Sequence, residues 1–127
     1  MISKDNAEHY TWGQHCDGWY LLHSPKFTVI QERMPPHTLE IRHWHAASHQ
    51  FFFILSGQAT MEINGEVCRL HAQQGVEVPP QTPHQIMNTS DADLEFIVIS
   101  CPPSHGDRVD LLTPPSSRGA GGESLRP

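Results

Sequence analysis

Three histidines stand where their side chains could bind one metal ion. His43 and His45 lie two residues apart in a strand-like run, so their side chains point to the same face of a sheet. His84 opens another strand-like run, directly after the proline-rich segment 79–83. Histidine is the commonest metal ligand in proteins. A rolled sheet that brings His84 opposite the other two would supply three imidazole ligands, and this arrangement predicts a metal site.

A structural role for these three histidines is the alternative interpretation. Three imidazoles inside a barrel would need hydrogen-bond partners in place of water, and buried polar groups without partners are costly. Histidine accounts for 10 of the 127 residues, and the other histidines have no comparable context. We therefore favour metal ligation for His43, His45 and His84, and expect the remaining histidines mainly on the surface or in loops.

The fourth ligand has two candidates. Gln50 begins the next strand-like run in phase with the apolar residues that follow it, so its side chain can face the histidine pair. His49 is the rival ligand, because it lies close after His45. An amide oxygen carries no charge, so a divalent ion held by Gln50 would keep its full positive charge and attract an anionic ligand. Such donors suit Fe, Mn, Ni or Zn, which the sequence does not rank.

Alternation along the strands also predicts the residues that share the ligand-bearing faces. A pocket built from them would be apolar with a few polar groups, as small-molecule sites usually are. The same pattern also fits an ordinary barrel core. On a neighbouring run, either Glu32 or Arg33 would enter the interior. The predicted lining residues are Ile41, Phe52, Ile54, Met61, Ile86 and Asn88.

The elements that must position these residues are short strands. Glycine and proline recur every eight to twelve residues or so, and β-branched and aromatic runs lie between them. Asn64 and Gly65 predict a type I′ hairpin turn. No segment has a convincing helical period, so the sequence predicts an all-β sandwich or barrel. The predicted strands are 19–23, 27–34, 39–45, 50–55, 58–63, 66–70, 75–78, 84–88 and 94–100.

Composition limits the classes of protein that fit. A chain of 127 residues is one domain in length. We assign residues 1–112 to that domain and residues 113–127, rich in proline and glycine, to a flexible tail. The net charge of −6 argues against a nucleic-acid partner. The sequence has no apolar run of roughly 20 residues, so it predicts no membrane-spanning helix. Three widely spaced cysteines and the lack of an apolar leader favour a cytoplasmic protein.

Two stretches together resemble the paired motifs of the cupin superfamily. The first has His43-Trp44-His45, four residues, Gln50, six residues and then Gly57. The second has Pro79, Gln81, His84 and Asn88 at the family's spacing. The resemblance covers roughly residues 25–101. Four positions depart from the motifs: His37 and Gln81 replace glycines, Gly75 lies two residues from its expected place, and Gln50 replaces the acidic ligand.

The resemblance implies a double-stranded β-helix, the RmlC-like jelly-roll barrel, with a metal held by His43, His45, Gln50 and His84. It also implies a metal-dependent enzyme, of the dioxygenase or isomerase type, that acts on a small anionic metabolite. Gln50 cannot act as a general base as a glutamate can, and no other base stands out. The alternatives are a non-catalytic small-molecule binding or sensor module and a metal-stabilised dimeric scaffold. By the same resemblance, we expect a homodimer.

Two further segments are similar to stretches of small bacterial cupin-like proteins. Tyr10–Trp19 would be an extended N-terminal strand segment at a sheet edge, anchored by its tryptophans. Pro102–Arg108 would be a capping segment over a barrel mouth or a subunit seam. We expect structural roles for both.

Overall fold

The computed structural model describes residues 1–111, and in that range the chain forms strands and no helix. The predicted tail, 113–127, lies outside the described residues. The strands are β1 Glu8–Trp12, β2 Cys16–His23, β3 Thr28–Met34, β4 Thr38–Leu39, β5 His43–His45, β6 His49–Ser56, β7 Gln58–Ile63, β8 Glu66–His71, β9 Gly75–Val78, β10 His84–Asn88, β11 Leu94–Cys101 and β12 Arg108–Asp110.

These strands form two antiparallel sheets that pack face to face. The first sheet has the order β1-β2-β3-β11-β6-β9, and the second has the order β12-β5-β10-β7-β8 with β4 also paired to β10. Several neighbours in each sheet, such as β3 and β11 or β5 and β10, are far apart in sequence, as they are in a jelly roll. The predicted all-β jelly-roll fold is therefore confirmed. Residues 1–111 contain no helix with the length and apolarity needed to cross a membrane.

Each of the nine predicted runs contains a strand, with one interruption. The run 39–45 divides into β4 and β5, because the chain leaves the sheet over residues 40–42. At that point the Glu40 carboxylate accepts a hydrogen bond of 2.8 Å from the Ile86 backbone N–H. β1 lies at the edge of the first sheet, as expected for the Tyr10–Trp19 segment. β12 was not predicted, because its residues carry no alternating apolar pattern.

The core lies between the inner faces of the two sheets. β3 alternates strictly between buried and half-buried residues, which is the burial pattern of a strand with one face on the core. The rings of Phe52 and Phe96 lie with their centroids 5.9 Å apart at its centre. Both side chains are fully buried, and burying each contributes about 1.5–3 kcal/mol relative to exposure.

The hairpin between β7 and β8 has the predicted turn. Asn64 and Gly65 have φ angles of 51° and 89°, the positive values that a type I′ turn requires at both central residues. The Gly65 N–H also donates a hydrogen bond of 2.7 Å to the Glu62 carboxylate. This turn fixes the register in which Ile63 pairs with Glu66, and so decides which β7 residues face the core.

Candidate metal centre

The three histidines singled out from the sequence lie together inside the barrel. His43 and His45 are on β5, and His84 on β10 is the direct cross-strand partner of His43. One ligand atom from each ring can be chosen so that all three lie within 4.8 Å of one another. The side chains are buried, with exposures of 0 %, 4 % and 1 %. The fold therefore brings the predicted trio to one point.

Each imidazole is held by a hydrogen bond at Nδ1. The Nδ1 atoms of His43 and His84 lie 2.7 and 2.8 Å from the backbone carbonyl oxygens of Ile41 and Thr82. The Nδ1 atom of His45 lies 2.8 Å from the Asp107 carboxylate. Carbonyl and carboxylate oxygens only accept hydrogen bonds, so these contacts place the ring proton on Nδ1. The lone pair is then on Nε2 in all three rings, and this donor set fits a divalent metal ion.

Gln50 lies on the inner face of β6 and is 3 % exposed. Its Nε2 donates a hydrogen bond of 2.9 Å to the hydroxyl of Ser100, which is its cross-strand partner on β11. Its Oε1 is buried and has no hydrogen-bond partner among residues 1–111. A buried acceptor without a donor costs about 1–3 kcal/mol. A cation or a ligand donor at this oxygen would remove that cost.

His49 lies on the opposite face of β6 from Gln50, because neighbouring residues of a strand alternate in direction. Its side chain is exposed, and its Nε2 lies 2.5 Å from the Glu77 carboxylate on β9. The structure therefore places the rival ligand on the outer surface, away from the buried histidine cluster.

Four of the predicted lining residues belong to the apolar interior. Phe52, Ile54, Met61 and Ile86 are fully buried, and Ile86 pairs with Met61 across the second sheet. The Phe52 ring centroid lies 6.1 Å from that of His84, so Phe52 borders the cluster directly.

The other two predicted lining residues make polar contacts. Ile41 is half-buried and offers its backbone carbonyl to His43. Asn88 is fully buried, and its Nδ2 donates to the carbonyl oxygens of Met34, Pro35 and Ala92. The Asn88 side chain thus ties the end of β10 to two connecting loops.

Two carboxylates lie on the Nδ1 side of the histidines, and the sequence interpretation missed both. Asp107 bonds to His45, although 62 positions separate them in the chain. Glu40 is 1 % exposed, and its Oε1 lies 3.8 Å from His43 Nδ1. Strict alternation over 39–45 would point Glu40 away from the histidines, and only the break in the strand turns it inward. For Asp107, the available signal was the Pro102–Arg108 segment that we assigned as a cap.

A third buried carboxylate belongs to Glu32, which the structure places inside while Arg33 faces outward. Glu32 is fully buried, and the Tyr10 hydroxyl donates a hydrogen bond of 2.6 Å to its Oε2. Arg33 instead pairs with Asp17 at 2.7 Å on the outer face. This settles which of the two enters the barrel and adds a tyrosine that the sequence did not reveal.

A cleft of about 280 Å³ opens beside this tyrosine. Within it, the rings of Tyr20 and His23 stack at 4.0 Å, with 7° between their planes. Burial raises the pKa of Tyr20, and the negative charges of Glu8 and Glu32 raise it further. The cleft therefore combines flat ring faces with the carboxylate of Glu8. Its lining residues are Glu8, Tyr10, Tyr20, His23 and His105.

Comparisons with known proteins agree with this fold. The family described as Cupin domain matches residues 30–100, more than half of the chain. The uncharacterized protein MJ1618 of Methanocaldococcus jannaschii is 29 % identical over 87 residues, which cover 68 % of this chain and 70 % of that protein.

Solved structures share the fold at low identity. A sugar phosphate isomerase from the cupin superfamily, from Silicibacter pomeroyi, has a TM-score of 0.70 and 18 % identity, over 80 % of this chain and 74 % of its own. Streptomyces PAC13 with uridine has a TM-score of 0.73 and 17 % identity, over 87 % of this chain and 88 % of its own.

Proposed function

Because the chain belongs to the Cupin domain family, we propose that it is a metal-dependent enzyme, of the dioxygenase or isomerase type, that acts on a small anionic metabolite. In this proposal His43, His45, Gln50 and His84 hold the metal ion. The observation that carries it is the buried cluster of three imidazoles, whose ligand atoms lie within 4.8 Å of one another.

The chain would orient the imidazole ligands of such a centre and set the net charge on the bound ion. A bound divalent ion would act as a Lewis acid toward an oxygen atom of the ligand. The backbone carbonyls of Ile41 and Thr82 hold two of the imidazoles at Nδ1, which leaves Nε2 for the metal ion. Gln50 would add a neutral oxygen, so the directly bound ligands leave the positive charge in place, which favours an anionic ligand. Fe, Mn, Ni and Zn all suit these donors.

An isomerase also needs a group that takes and returns a proton. Gln50 cannot fill this role, and we propose the Tyr10–Glu32 pair for it. Its hydrogen bond of 2.6 Å lets Tyr10 take a proton from a ligand while passing its own to the Glu32 carboxylate. Glu32 pairs with Phe96 in the sheet, and Phe96 contacts Phe52 beside the histidines. The pair and the histidine cluster therefore share one interior.

The named ligands and activities of similar proteins support a small-molecule substrate. One solved structure with this fold is a sugar phosphate isomerase, and another holds uridine. Both descriptions concern small polar molecules. The stacked Tyr20 and His23 rings of the cleft offer a flat surface for a small molecule.

Elemental analysis of the purified protein tests the metal site. We expect Fe, Mn, Ni or Zn in the wild-type protein and its loss in His84→Ala. His49→Ala is the matched control, because His49 is exposed on the outer face, and it should retain the metal. Unchanged metal content in His84→Ala would show that the ligand set is wrong. Turnover of small diketones, hydroxy acids and sugar phosphates by the loaded protein then tests the enzyme proposal.

A non-catalytic binding or sensor module is the second candidate. The observation that favours it is the cleft of about 280 Å³, which could hold a ligand without turnover. Ligand binding that persists in Tyr10→Phe, with no turnover by the wild-type protein, would favour this function over the enzyme.

The partners and location predicted from the sequence stay predictions. We predict a homodimer, which in the scaffold alternative is stabilised by the metal ion. We also predict a cytoplasmic location, and we expect neither a nucleic-acid nor a membrane partner. Phe51, 41 % exposed on the outer face of the first sheet, is available to a second copy. Light scattering of the purified protein at two concentrations tests the dimer.

A further inference from the structure

The carboxylate of Asp107 connects two parts of the candidate metal centre. Its Oδ1 lies 2.8 Å from His45 Nδ1. Its Oδ2 accepts hydrogen bonds of 3.0 and 2.8 Å from the backbone N–H groups of Ala47 and Ser48. These two residues form the turn that leads from His45 to Gln50. One side chain therefore fixes both a histidine and the chain between two candidate ligands.

The histidines differ in the charge of the groups behind them. His43 and His84 donate to neutral backbone carbonyls, whereas His45 donates to a carboxylate. A carboxylate behind an imidazole fixes its tautomer and makes it a more basic metal ligand. This matters here because Gln50 is neutral, so no directly bound candidate ligand carries a negative charge.

Glu40 adds a second negative charge close to the cluster. Its Oε1 lies 3.8 Å from His43 Nδ1, and its side chain is 1 % exposed. Its Oε2 is engaged by the Ile86 N–H at 2.8 Å, which holds the carboxylate in the interior. Asp107 and Glu40 thus stand behind the two histidines of β5.

We propose that Asp107 is a positioning residue for the metal ligand His45, and that Asp107 and Glu40 supply from behind the imidazoles the negative charge that Gln50 does not. The proposal rests on the proposed metal binding and extends it to two residues. It also makes the segment after β11 part of the centre. That segment returns as β12 to pair with β5, and the Asp107 backbone oxygen accepts from Ala46 N at 3.0 Å.

Asp107→Asn is the sharpest substitution. The asparagine side-chain oxygen can still accept from Ala47 and Ser48, so the turn keeps its hydrogen bonds. Its NH₂ group then faces His45 Nδ1 and can only donate. His45 must move its proton to Nε2 to accept that bond, and a protonated Nε2 cannot bind a metal. We expect the Zn²⁺ affinity to fall by about 10–100-fold, measured by competition with a chelator.

A readout that needs no metal separates positioning from simple stability. Nitrogen NMR of the metal-free protein reports which ring nitrogen of His45 carries the proton. We expect the proton on Nδ1 in the wild-type protein and on Nε2 in Asp107→Asn. Asp110→Asn is the matched control, because Asp110 lies in the same segment but pairs with Arg108 at 2.6 Å. It should change neither the tautomer nor the affinity.

The outcomes are distinguishable. A wild-type His45 with its proton on Nε2 would overturn the proposal even if the variant fails to fold. Wild-type Zn²⁺ affinity in Asp107→Asn would overturn it as well. If the wild-type protein binds none of the four metals, the proposed function fails, whereas the tautomer measurement still decides whether Asp107 orients His45. Glu40→Gln is expected to weaken Zn²⁺ binding without changing the His45 tautomer, and unchanged affinity would remove Glu40 from the proposal.

Discussion

The Tyr10 hydroxyl reaches the buried Glu32 carboxylate at 2.6 Å by lying across the inner face of Gly18. Tyr10 and Gly18 are cross-strand partners in β1 and β2, and Gly18 pairs with Glu32 of β3. A Cβ atom on residue 18 would lie 2.1 Å from the Cζ of the tyrosine ring. Glycine weakens a strand interior, so its place here reflects the close approach of the ring.

Gly18→Ala should therefore displace Tyr10 and break its hydrogen bond to Glu32. A hydrogen bond to a charged group contributes about 1.5–3 kcal/mol, and we expect a loss of that order in the free energy of unfolding. Urea denaturation measures it. Tyr10→Phe removes the same hydrogen bond without crowding and should cost a similar amount. Tyr20→Phe, on the same inner face, is the control. Equal stability of wild type and Tyr10→Phe would show that the contact contributes nothing.

Gln50→Glu should tighten Zn²⁺ binding, because a carboxylate next to the three imidazoles attracts a divalent cation more strongly than an amide does. Titration calorimetry of the metal-free protein measures the change, and we expect at least a tenfold lower Kd. His49→Ala serves as the comparison and should bind as the wild type does. Weaker Zn²⁺ binding by both Gln50→Glu and His49→Ala would show that His49, and not Gln50, is the fourth ligand.

Local sequence patterns predicted most of the fold. Alternation predicted the strands because a two-residue period is directly visible in runs such as the one from Gln50 to Leu55. The same period placed Gln50 on the inner face and His49 on the outer face. The spacing of His43, His45 and His84 predicted the cluster, because the two strands that carry them pair directly.

The groups behind the cluster were not predictable from local patterns. Asp107 reaches His45 across 62 positions, and the Pro102–Arg108 segment predicted a cap but not this contact. Glu40 turns inward only because the strand breaks at residues 40–42. The Tyr10–Glu32 contact depends on how three strands align, which follows from register and not from any one strand's composition. Contacts between distant segments therefore account for what the sequence interpretation missed.

Asn88 should matter for stability and not for metal binding. Its Nδ2 serves three backbone carbonyls, of Met34, Pro35 and Ala92. Asn88→Asp keeps the shape of the side chain but removes those donors and places a carboxylate against carbonyl oxygens. Leaving buried acceptors unsatisfied costs about 1–3 kcal/mol each, and we expect a loss of several kcal/mol, measured by denaturation. A folded Asn88→Asp variant with altered Zn²⁺ affinity would instead connect Asn88 to the site.

Acid should weaken the fold through two partly buried ion pairs, Asp17–Arg33 and Glu62–Arg42. Burial opposes ionisation of Asp17, but hydrogen bonds from His9 and Arg33 outweigh it and lower the pKa of this carboxyl. Burial likewise opposes ionisation of Glu62, while hydrogen bonds from Arg42 and the Gly65 N–H lower its pKa.

A carboxyl whose pKa is lower in the folded than in the unfolded chain stabilises the fold above its unfolded pKa. That contribution is lost as the pH falls through the folded value, because the unfolded chain takes up the proton first. The free energy of unfolding should therefore fall below about pH 4, near the ordinary pKa of such groups. In Asp17→Asn this fall should be shallower than in the wild type, and in Asp17→Asn/Glu62→Gln shallower still. Replacing the exposed Asp5 with asparagine is the control for the loss of one negative charge. If the wild type and the double variant lose stability equally between pH 5 and pH 2 or so, these pairs do not cause the acid sensitivity.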